Sequence, residues 1–552
     1  MAAPTDTVTF TPPGPGCWQL DRSHYPGGTT SLSEWLMEGC GRGMRRAFEE
    51  YGMPADTLDV RFVNGFMYTR LRPLIRPDSP SAKLPPAPLL KLAVRLHPEM
   101  RRRAARAAST LAERPWRRVV DDWHRSVRPG LEARNAAFAA VDPAALDDAG
   151  LAAHLDELLA YCRENFELHF WLHAFDLGPI GMLVASCERW RIAAPDIVKA
   201  LGGASPSTSA PARAARELRE LVAATGTRPR TLEELRGLSP EIAARLDAYL
   251  ALRGPMLVTR YDLDGMTLAE KPGAVLASIL DGGAGEADLA AAEAAASAAR
   301  AKVPDDERSV FDERLAEARA SMDLRDDNGP NTVELPVGLL RRGLLEGGRR
   351  LVAAGRVADA THVFELRPEE VVPLVRDHRG PSADELGARA AERARLATLD
   401  PPATLGPEEP APPLEVLAPP HRELVGAVQS VLVHLGMAAA PPAGTLDGTG
   451  IGTEAYRGRA RVATSPEDAL DSIEPGDVLV VRFTTPAYNT VLSLAGAIVT
   501  ADGAILSHAA VMARELGIPA VVGARGAMTE IPDGATVEVD PVAGRVRVVA
   551  GA

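Results

Sequence analysis

The histidine at position 508 occupies the start of a predicted helix, directly after a short strand and a glycine turn. Residues 497–500 are apolar enough for a buried strand, Ser507 can cap a helix, and residues 509–516 are mostly strong helix formers. The first turn of a helix presents unpaired N–H groups and the positive end of the helix dipole, which favour an anion. Because neutral imidazole is also a nucleophile, a phosphoryl group carried on His508 would be stabilised where it forms.

A single histidine at a helix start is more often a surface or capping residue, so the hypothesis depends on the pattern around it. From Thr500 to Gly523 the chain reads TADGAILSHAAVMARELGIPAVVG. This resembles the phosphohistidine signature of the PEP-utilising enzymes. It departs from that signature mainly at Ala504, where the family has a second glycine and where the alanine methyl group slightly narrows the turn. The resemblance implies that His508 is the phosphorylated residue and that the loops around it support the phosphoryl group, with Thr500 hydrogen-bonded to the ring or the phosphate. The supporting candidates are Thr484, Thr485, Thr500, Gly503, Ser507 and Arg514. For Thr484 and Thr485 a solvated turn is an equal alternative.

Short β-rich runs surround this one strong helix, and the resemblance extends over about the last hundred residues. The runs lie at 458–462, 477–482, 520–522, 536–540 and 545–549. They imply the β/β/α swivelling phosphohistidine domain of that family, here residues 445–552, which carries the phosphoryl group between two distant active sites.

A proline-rich segment precedes this domain. Eight of the twenty residues from 401 to 420 are proline, which opposes regular helix or sheet and is typical of a semi-rigid spacer. Residues 421–437 have apolar side chains at helical spacing. We therefore expect a linker and hinge over residues 396–444.

Residues 1–395 are mostly helical in pattern. Apolar residues recur at spacings of three and four along good helix formers, which predicts an α-rich body. The predicted helices cover 31–51, 89–111, 144–166, 210–223, 231–252, 286–301, 305–322 and 337–354. The stretch 70–128 is locally basic, either as a solvated helix face or as a docking surface for a partner or nucleotide phosphates.

The body resembles the substrate-binding domain of rifampin phosphotransferase and the histidine-bearing subunit of phenylphosphate synthase. The motifs that carry this resemblance are WQLDRSHYP from Trp18, VNGFMY from Val63, RDDN from Arg325 and the arginine-rich run from Leu340 to Leu351. They imply a small hydroxylated molecule as the phosphoryl acceptor. Aromatic residues near them permit an aromatic or polyketide-like compound of secondary metabolism, although an ordinary core is an equal alternative for these side chains. The candidates for binding the acceptor or its phosphate are Glu270, Arg325, Asp326, Asp327, Arg342 and Arg350.

Two histidines, His169 and His173, lie one helical turn apart on the same face. Without a zincin glutamate or a third ligand we predict no metal site there, and core or pocket histidines are the commoner interpretation. If they line the acceptor pocket, one of them could be the general base, with Glu270, Arg325, Asp326 and Asp327 as rivals. For Arg342 and Arg350 a solvated helix face is the alternative to phosphate binding.

Composition excludes several classes of protein. A formal net charge of −13 argues against nucleic acid as a general partner. The four cysteines have no C-x-x-C spacing, which indicates reduced thiols. We see neither a membrane span nor a signal peptide and expect a cytoplasmic protein.

Relatives that load their own histidine have an ATP-grasp module, and PEP synthase has a C-terminal PEP-binding barrel. We expect neither in this chain, so ATP and Mg²⁺ would act through a separate ATP-grasp subunit. Three functions remain open: a phosphotransferase, a ligase or dehydratase in which phosphorylation only activates an oxygen, as the similar prodiginine-condensing enzymes suggest, and a non-catalytic binding subunit.

Overall fold

The structure is a computed structural model, and it describes residues 8–22, 24–78, 84–283, 285, 287–435 and 446–549. Its N-terminal part is mostly helical, and its C-terminal part contains a sheet with short helices. The predicted fold class, an α-rich body followed by a β/β/α domain, is confirmed.

The body is built from helices that begin close to the predicted positions. Their bounds are α1 (Ser31–Leu36), α2 (Glu38–Tyr51), α3 (Ala87–Leu96), α4 (Pro98–Glu113), α5 (Trp116–Asp122), α6 (Arg128–Ala140), α7 (Asp148–Arg189), α8 (Ala194–Ala200), α9 (Pro206–Ala224), α10 (Leu232–Gly237), α11 (Pro240–Arg253), α12 (Pro272–Asp281), α13 (Leu289–Ala301), α14 (Arg308–Gly329), α15 (Leu335–Ala353), α16 (Pro368–Asp377), α17 (Ala383–Ala397) and α18 (Pro419–His434). Two π-helical turns interrupt this set, at Trp123–Val127 and Pro330–Glu334. The second turn joins α14 directly to α15.

Helix α7 is the central element of the body. Its N-cap is Asp147, whose carboxylate accepts a hydrogen bond from the Gly150 N–H, and the helix continues well beyond the predicted end. Helices α2, α14 and α18 pack around it. One 18-residue window of α7 is apolar enough for a membrane span, with a mean hydropathy of 1.3, but 67% of that window is buried inside the protein. This burial is what the core helix of a helical domain shows.

A four-stranded antiparallel sheet lies at one end of the body, and the helical pattern did not predict it. Its strands are β1 (Trp18–Leu20), β2 (Ala55–Val63), β3 (Phe66–Pro73) and β4 (Thr404–Leu405), in the order β2-β3-β1-β4. Strand β4 belongs to the proline-rich segment.

The proline-rich segment is fastened to the body rather than forming a free spacer. Besides the pairing of β4 with β1, Glu409 accepts two hydrogen bonds from the buried Arg70, at 3.0 and 3.1 Å. The prolines flank β4, which is a two-residue edge strand of Thr404 and Leu405, so none of them removes an N–H donor from the sheet. The predicted hinge helix corresponds to α18, and the end of that prediction lies outside the described residues. The boundaries 396–444 remain a prediction.

The C-terminal domain contains a seven-stranded mixed sheet. Its strands are β5 (Thr449–Ile451), β6 (Tyr456–Ala463), β7 (Val478–Val481), β8 (Ala497–Thr500), β9 (Ala520–Val522), β10 (Thr536–Asp540) and β11 (Arg545–Val548), in the order β11-β10-β6-β7-β8-β9-β5. The helices are α19 (Pro466–Ser472), α20 (Asn489–Leu492), α21 (His508–Glu515) and α22 (Ala527–Glu530). Strands β6 to β9 are parallel, and every residue of β7, β8 and β9 is buried, as expected for strands covered on both faces.

One face of this sheet shares a hydrophobic core with the body. Helices α9, α11 and α12 contribute apolar side chains to the same cluster as α19, α20 and α21. Backbone hydrogen bonds also cross between the two parts: the Gly283 N–H donates to the Ser493 carbonyl at 3.1 Å, and the Gly285 N–H donates to the Leu516 carbonyl at 2.8 Å. In this structure the histidine-bearing domain is therefore docked on the body.

Candidate active site

Two loops of the C-terminal domain meet because their strands are neighbours. Strands β7 and β8 are parallel, with Val481 paired to Thr500, so the loops that follow them emerge at the same edge of the sheet. The loop after β7 carries Thr484 and leads into α20, and the loop after β8 carries His508 at the first position of α21. The carboxyl end of parallel strands is where α/β sheets commonly bind ligands.

The ring of His508 is held at both nitrogens. Nδ1 lies 2.8 Å from Thr484 Oγ1, and Nε2 lies 3.0 Å from Asn489 Oδ1. With the Asn489 oxygen facing the ring, Nε2 carries the proton and Nδ1 accepts from the threonine hydroxyl. His508 is thus oriented by its neighbours, and its Nδ1 lone pair can attack phosphorus once the threonine hydroxyl turns away from it.

The imidazole of His508 is neutral at physiological pH. Burial, together with the positive charge of Arg325, lowers the pKa of His508 to about 3. A neutral ring is nucleophilic, and the same positive charge would favour a phosphoryl group on it.

The turn before His508 keeps its glycine where the backbone requires one. Gly503 has a φ of +117°, and a Cβ at this position would lie 3.1 Å from Ser507 Oγ. Ala504, the departure from the family pattern, is not among the residues with positive φ, so its methyl group is accommodated without strain. The Ser507 backbone is the N-cap of α21, but its buried hydroxyl makes no capping bond and has no hydrogen-bond partner within the described part of the chain. This free hydroxyl beside the first turn of α21 fits a bound phosphoryl group.

The body contributes charged groups to the space in front of His508. Arg325, near the end of α14, has a buried Nη1 atom with no hydrogen-bond partner among the described residues. Asp326 Oδ2 lies 3.3 Å from Thr208 Oγ1, and burial raises the pKa of its carboxyl group. Asp327 is ion-paired with Arg128 at 3.2 Å, and burial raises its pKa to about 6.

These groups line a single large cavity of about 3160 Å³ between the body and the C-terminal domain. Pockets for drug-sized ligands occupy roughly 300–1,000 Å³, so a bulky acceptor would fit here. Among the predicted site residues, the cavity is lined by His169, His173, Arg325, Asp326, Asp327, Thr484, Thr485, Gly503, Ser507 and His508.

His169 and His173 form a hydrogen-bonded chain rather than a metal site. Their Nε2 atoms are 3.1 Å apart, His173 Nδ1 lies 2.8 Å from the fully buried Asp176, and His169 Nδ1 lies 3.0 Å from Thr332 Oγ1. Burial, with the neighbouring His173, holds the pKa of His169 well below its usual range. Both nitrogens of each ring are already engaged, which leaves neither histidine a free lone pair for an acceptor hydroxyl.

Three predicted acceptor residues lie elsewhere and hold the fold together. Glu270 accepts two hydrogen bonds from Arg341, at 2.9 and 3.0 Å, and this partner lowers its pKa against the opposing effect of burial. Arg342 donates to the carbonyls of Phe138, Ala139 and Val141, at the end of α6. Arg350 donates to Glu346, to Asp148 and to carbonyls just before α7. None of the three lines the cavity, and their contacts in this structure are with backbone carbonyls and charged side chains of the body, so their role in binding phosphate or acceptor stays a prediction.

Two residues of the family pattern also act differently from the expectation. Thr500 is fully buried, and its hydroxyl donates to the Asp502 carbonyl at 2.7 Å, so it shapes the turn and does not contact the ring of His508. Arg514 does not line the cavity. It bonds Glu515 at 3.0 and 3.1 Å, and its Cδ lies 3.8 Å from where a Cβ on Gly202 would be, which places it at the interface with the body.

The sequence reasoning missed Arg253, Tyr261 and Glu334, which line the same cavity. They lie on α11, on the loop after it and on the π-helical turn, and nothing in their spacing connects them. The only local signal was the Gly329-Pro330 pair inside a helical pattern, which marks an irregular turn.

Most of the C-terminal domain matches a known protein family. Residues 473–544 match the family described as PEP-utilising enzyme, mobile domain. This range includes His508, Thr484, Asn489 and the turn between them.

Individual relatives match larger parts of the chain. An uncharacterized protein of Mycobacterium tuberculosis is 38% identical over 213 residues, which are 38% of this chain and 22% of that protein. Rifampicin phosphotransferase of Streptomyces sviceus is 32% identical over 209 residues, 38% of this chain and 21% of the relative. Chondramide synthase of Chondromyces crocatus is 33% identical over 319 residues, 54% of this chain and 8% of the relative. The matched part of the chain thus spans about a fifth or less of the length of these relatives.

The family match covers the two loops at the sheet edge that hold His508 in its orientation. Residues 473–544 therefore carry the mobile domain of a PEP-utilising enzyme, and the relatives that match longer parts of the chain include rifampicin phosphotransferases.

Proposed function

We propose that this protein is a phosphotransferase component that carries a phosphoryl group on His508 to a hydroxyl group of a small-molecule acceptor. The observation that supports this most directly is the shared cavity: His508 of one domain and Arg325 of the other, whose Nη1 has no hydrogen-bond partner among the described residues, line the same space. A relative named as a rifampicin phosphotransferase supports the same class of reaction.

The chemistry follows from the residues that line the cavity. An acceptor oxygen attacks the phosphorus of phosphorylated His508, the O–P bond forms and the N–P bond breaks. The electron pair of the N–P bond returns to the ring nitrogen, and the other ring nitrogen keeps its proton. Arg325 and the Ser507 hydroxyl stabilise the charge on the phosphoryl oxygens during transfer. Asn489, which accepts from the Nε2–H, holds the ring in line while Nδ1 carries the phosphoryl group, so that positioning contributes much of the acceleration.

The phosphoryl donor in this proposal is ATP with Mg²⁺, bound by a separate ATP-grasp subunit. Loading requires His508 to leave the docked position seen here, because in this position it faces the body. The shared core with α9, α11 and α12 would have to separate for each cycle, so the docked arrangement represents the acceptor-side state of a swivelling domain.

A second role is favoured by the match to a relative named as a synthase, which covers more than half of this chain. In that role the phosphoryl group activates an acceptor oxygen as a leaving group for condensation or elimination. The product decides between the two: a phosphotransferase leaves phosphate on the isolated product, whereas a ligase or dehydratase releases inorganic phosphate.

The test of the proposed function is phosphorylation of the chain itself. Incubated with ATP, Mg²⁺ and its partner, the protein should gain acid-labile, alkali-stable phosphate that maps to His508. His508→Ala should remove the label, whereas His421→Ala, which changes a buried histidine outside the cavity, should retain it. A label that maps to another residue contradicts the proposal.

A further inference from the structure

Glu334 is an acidic residue of the cavity wall that no step above uses. It closes the π-helical turn Pro330–Glu334 between α14 and α15, and only 3% of its surface is exposed. Its Oε1 atom is buried without a hydrogen-bond partner among the described residues. Gly329, also in the cavity wall, is so close that a Cβ there would lie 3.5 Å from that oxygen.

A buried carboxyl oxygen without a partner needs an explanation, because leaving such a group unsatisfied is costly. Two neighbouring carboxylates of the wall, both on α14, have partners: Asp327 pairs with Arg128 and accepts from Asn331, and Asp323 accepts from the Ser207 N–H. The position of Glu334 in a π-helical turn also favours a functional role, since single π turns within helices often occur at functional sites.

Resting on the proposed function, we propose that Glu334 is the general base of the transfer, which binds the acceptor hydroxyl through its unpartnered oxygen and takes its proton as the O–P bond forms. The proton balance is then complete. The acceptor loses its proton to the Glu334 carboxylate, the N–P electron pair returns to His508, and Glu334 later releases the proton to solvent.

The surroundings of Glu334 are suited to this task. Burial raises the pKa of its carboxyl group to about 8, and the positive charge of Arg253 opposes this effect. The negative charge of Glu334 in turn helps to raise the pKa of Tyr261. A base is most effective when its pKa lies near the working pH. Arg253 also lines the cavity, where its charge would favour the ionised form of Glu334 that a base requires.

The test uses water as the acceptor, because water is present whatever the natural substrate is. The full-length chain is phosphorylated on His508 with potassium phosphoramidate, freed of reagent, and the decay of the phosphohistidine is followed by phosphorus NMR between pH 6 and 10. The same phosphorylated chain unfolded in urea gives the uncatalysed rate. In the wild type we expect hydrolysis to rise with pH and level off above about 8, where Glu334 is ionised.

Glu334→Gln should hydrolyse about 10²-fold more slowly at pH 9 and should lose the rise with pH, since the amide cannot accept a proton. Glu334→Asp should keep a pH-dependent rise at a reduced rate. Glu132→Gln, the same substitution at an exposed residue of the same cavity, should behave as wild type. Circular dichroism of each variant checks the fold, which Gln should preserve because it resembles the protonated acid.

Two results would overturn the proposal, and a third would overturn the proposed function instead. Equal rates and pH profiles in wild type and Glu334→Gln would overturn it, and so would a Glu334→Gln chain that folds but cannot be phosphorylated. If the wild type itself gains no phosphate on His508, the proposed function fails, which separates the two conclusions.

Discussion

Arg325 and Arg350 lie on the two helices joined by the π-helical turn, yet their guanidinium groups are in opposite situations. Arg350 uses all three nitrogens, on Glu346, on Asp148 and on the carbonyls of Pro143 and Leu146. Arg325 lines the cavity in front of His508, and its buried Nη1 has no hydrogen-bond partner in the ranges that the structure describes. Both were candidates for binding phosphate by residue type alone. The difference teaches that an arginine's availability for an anion is decided by the acceptors already around it.

The same contrast holds for two acidic residues. Glu270 is bonded by Arg341, which lowers its pKa, and Glu334 is buried with an unpartnered oxygen, which raises its pKa. Arg350 and Glu270, whose charges are paired, stabilise the fold. Arg325 and Glu334, each with an atom left unpartnered in the described part of the chain, line the cavity. The following predictions test this division.

The largest effect is expected at the histidine itself. His508→Ala should abolish both the phosphate label and transfer, because no other group in the mechanism can carry the phosphoryl group. It should also lower the free energy of unfolding by about 1–2 kcal/mol, since the hydrogen bonds to Thr484 and Asn489 are lost. Denaturant unfolding measures this cost, and a variant that still transfers phosphate would break the assignment.

Arg325→Ala should slow transfer by roughly 10²–10³-fold, as the loss of one charge-stabilising group typically does. Loading of His508 should persist, because in our proposal Arg325 acts only in the docked state. Removing this positive charge should also raise the pKa of His508 towards its ordinary value, which an NMR titration of the ring would detect. Arg350→Ala is the matched control and should leave both quantities unchanged.

The two glutamates should give stability profiles of opposite sign. The folded-state pKa of Glu334 is raised, so its contribution is present at low pH and is lost as the pH rises from about 4.3 towards 8. Glu334→Gln should therefore gain stability relative to wild type between pH 5 and pH 9, by on the order of a few kcal/mol.

The folded-state pKa of Glu270 is lowered, so its contribution is present above the unfolded value and is lost on acidification. Glu270→Gln should accordingly be most destabilised, relative to wild type, at the higher pH. Urea unfolding at pH 5 and 9 checks both signs.

The smallest effect is expected for the structural arginine. Arg350→Ala should lower the free energy of unfolding by about 1–3 kcal/mol, because it frees the carbonyls before α7 and the carboxylate of Glu346. The transfer rate of the folded variant should equal that of wild type. A selective loss of transfer would show that Arg350 reaches the substrate after all and would remove the contrast with Arg325.

The sequence by itself determined the elements that depend on near neighbours. The strand at 497–500, the glycine turn and the helix that carries His508 were all predictable, since a buried apolar run, a residue with positive φ and a run of helix formers act over a few residues. The helices of the body were predictable for the same reason, although α7 ran far beyond its predicted end because burial in the core stabilises its C-terminal half.

Only the tertiary structure decided which charged residues face the site. Arg253, Arg325 and Glu334 come from α11, α14 and the turn after α14, and they share a cavity with His508 only because the C-terminal domain docks on the body. The sheet containing β4 likewise joins residues almost four hundred positions apart. Partners so far apart in the sequence leave no periodic pattern in it. Burial and hydrogen bonding nevertheless depend on these distant partners, and they set the pKa values of the site and the donors that remain free.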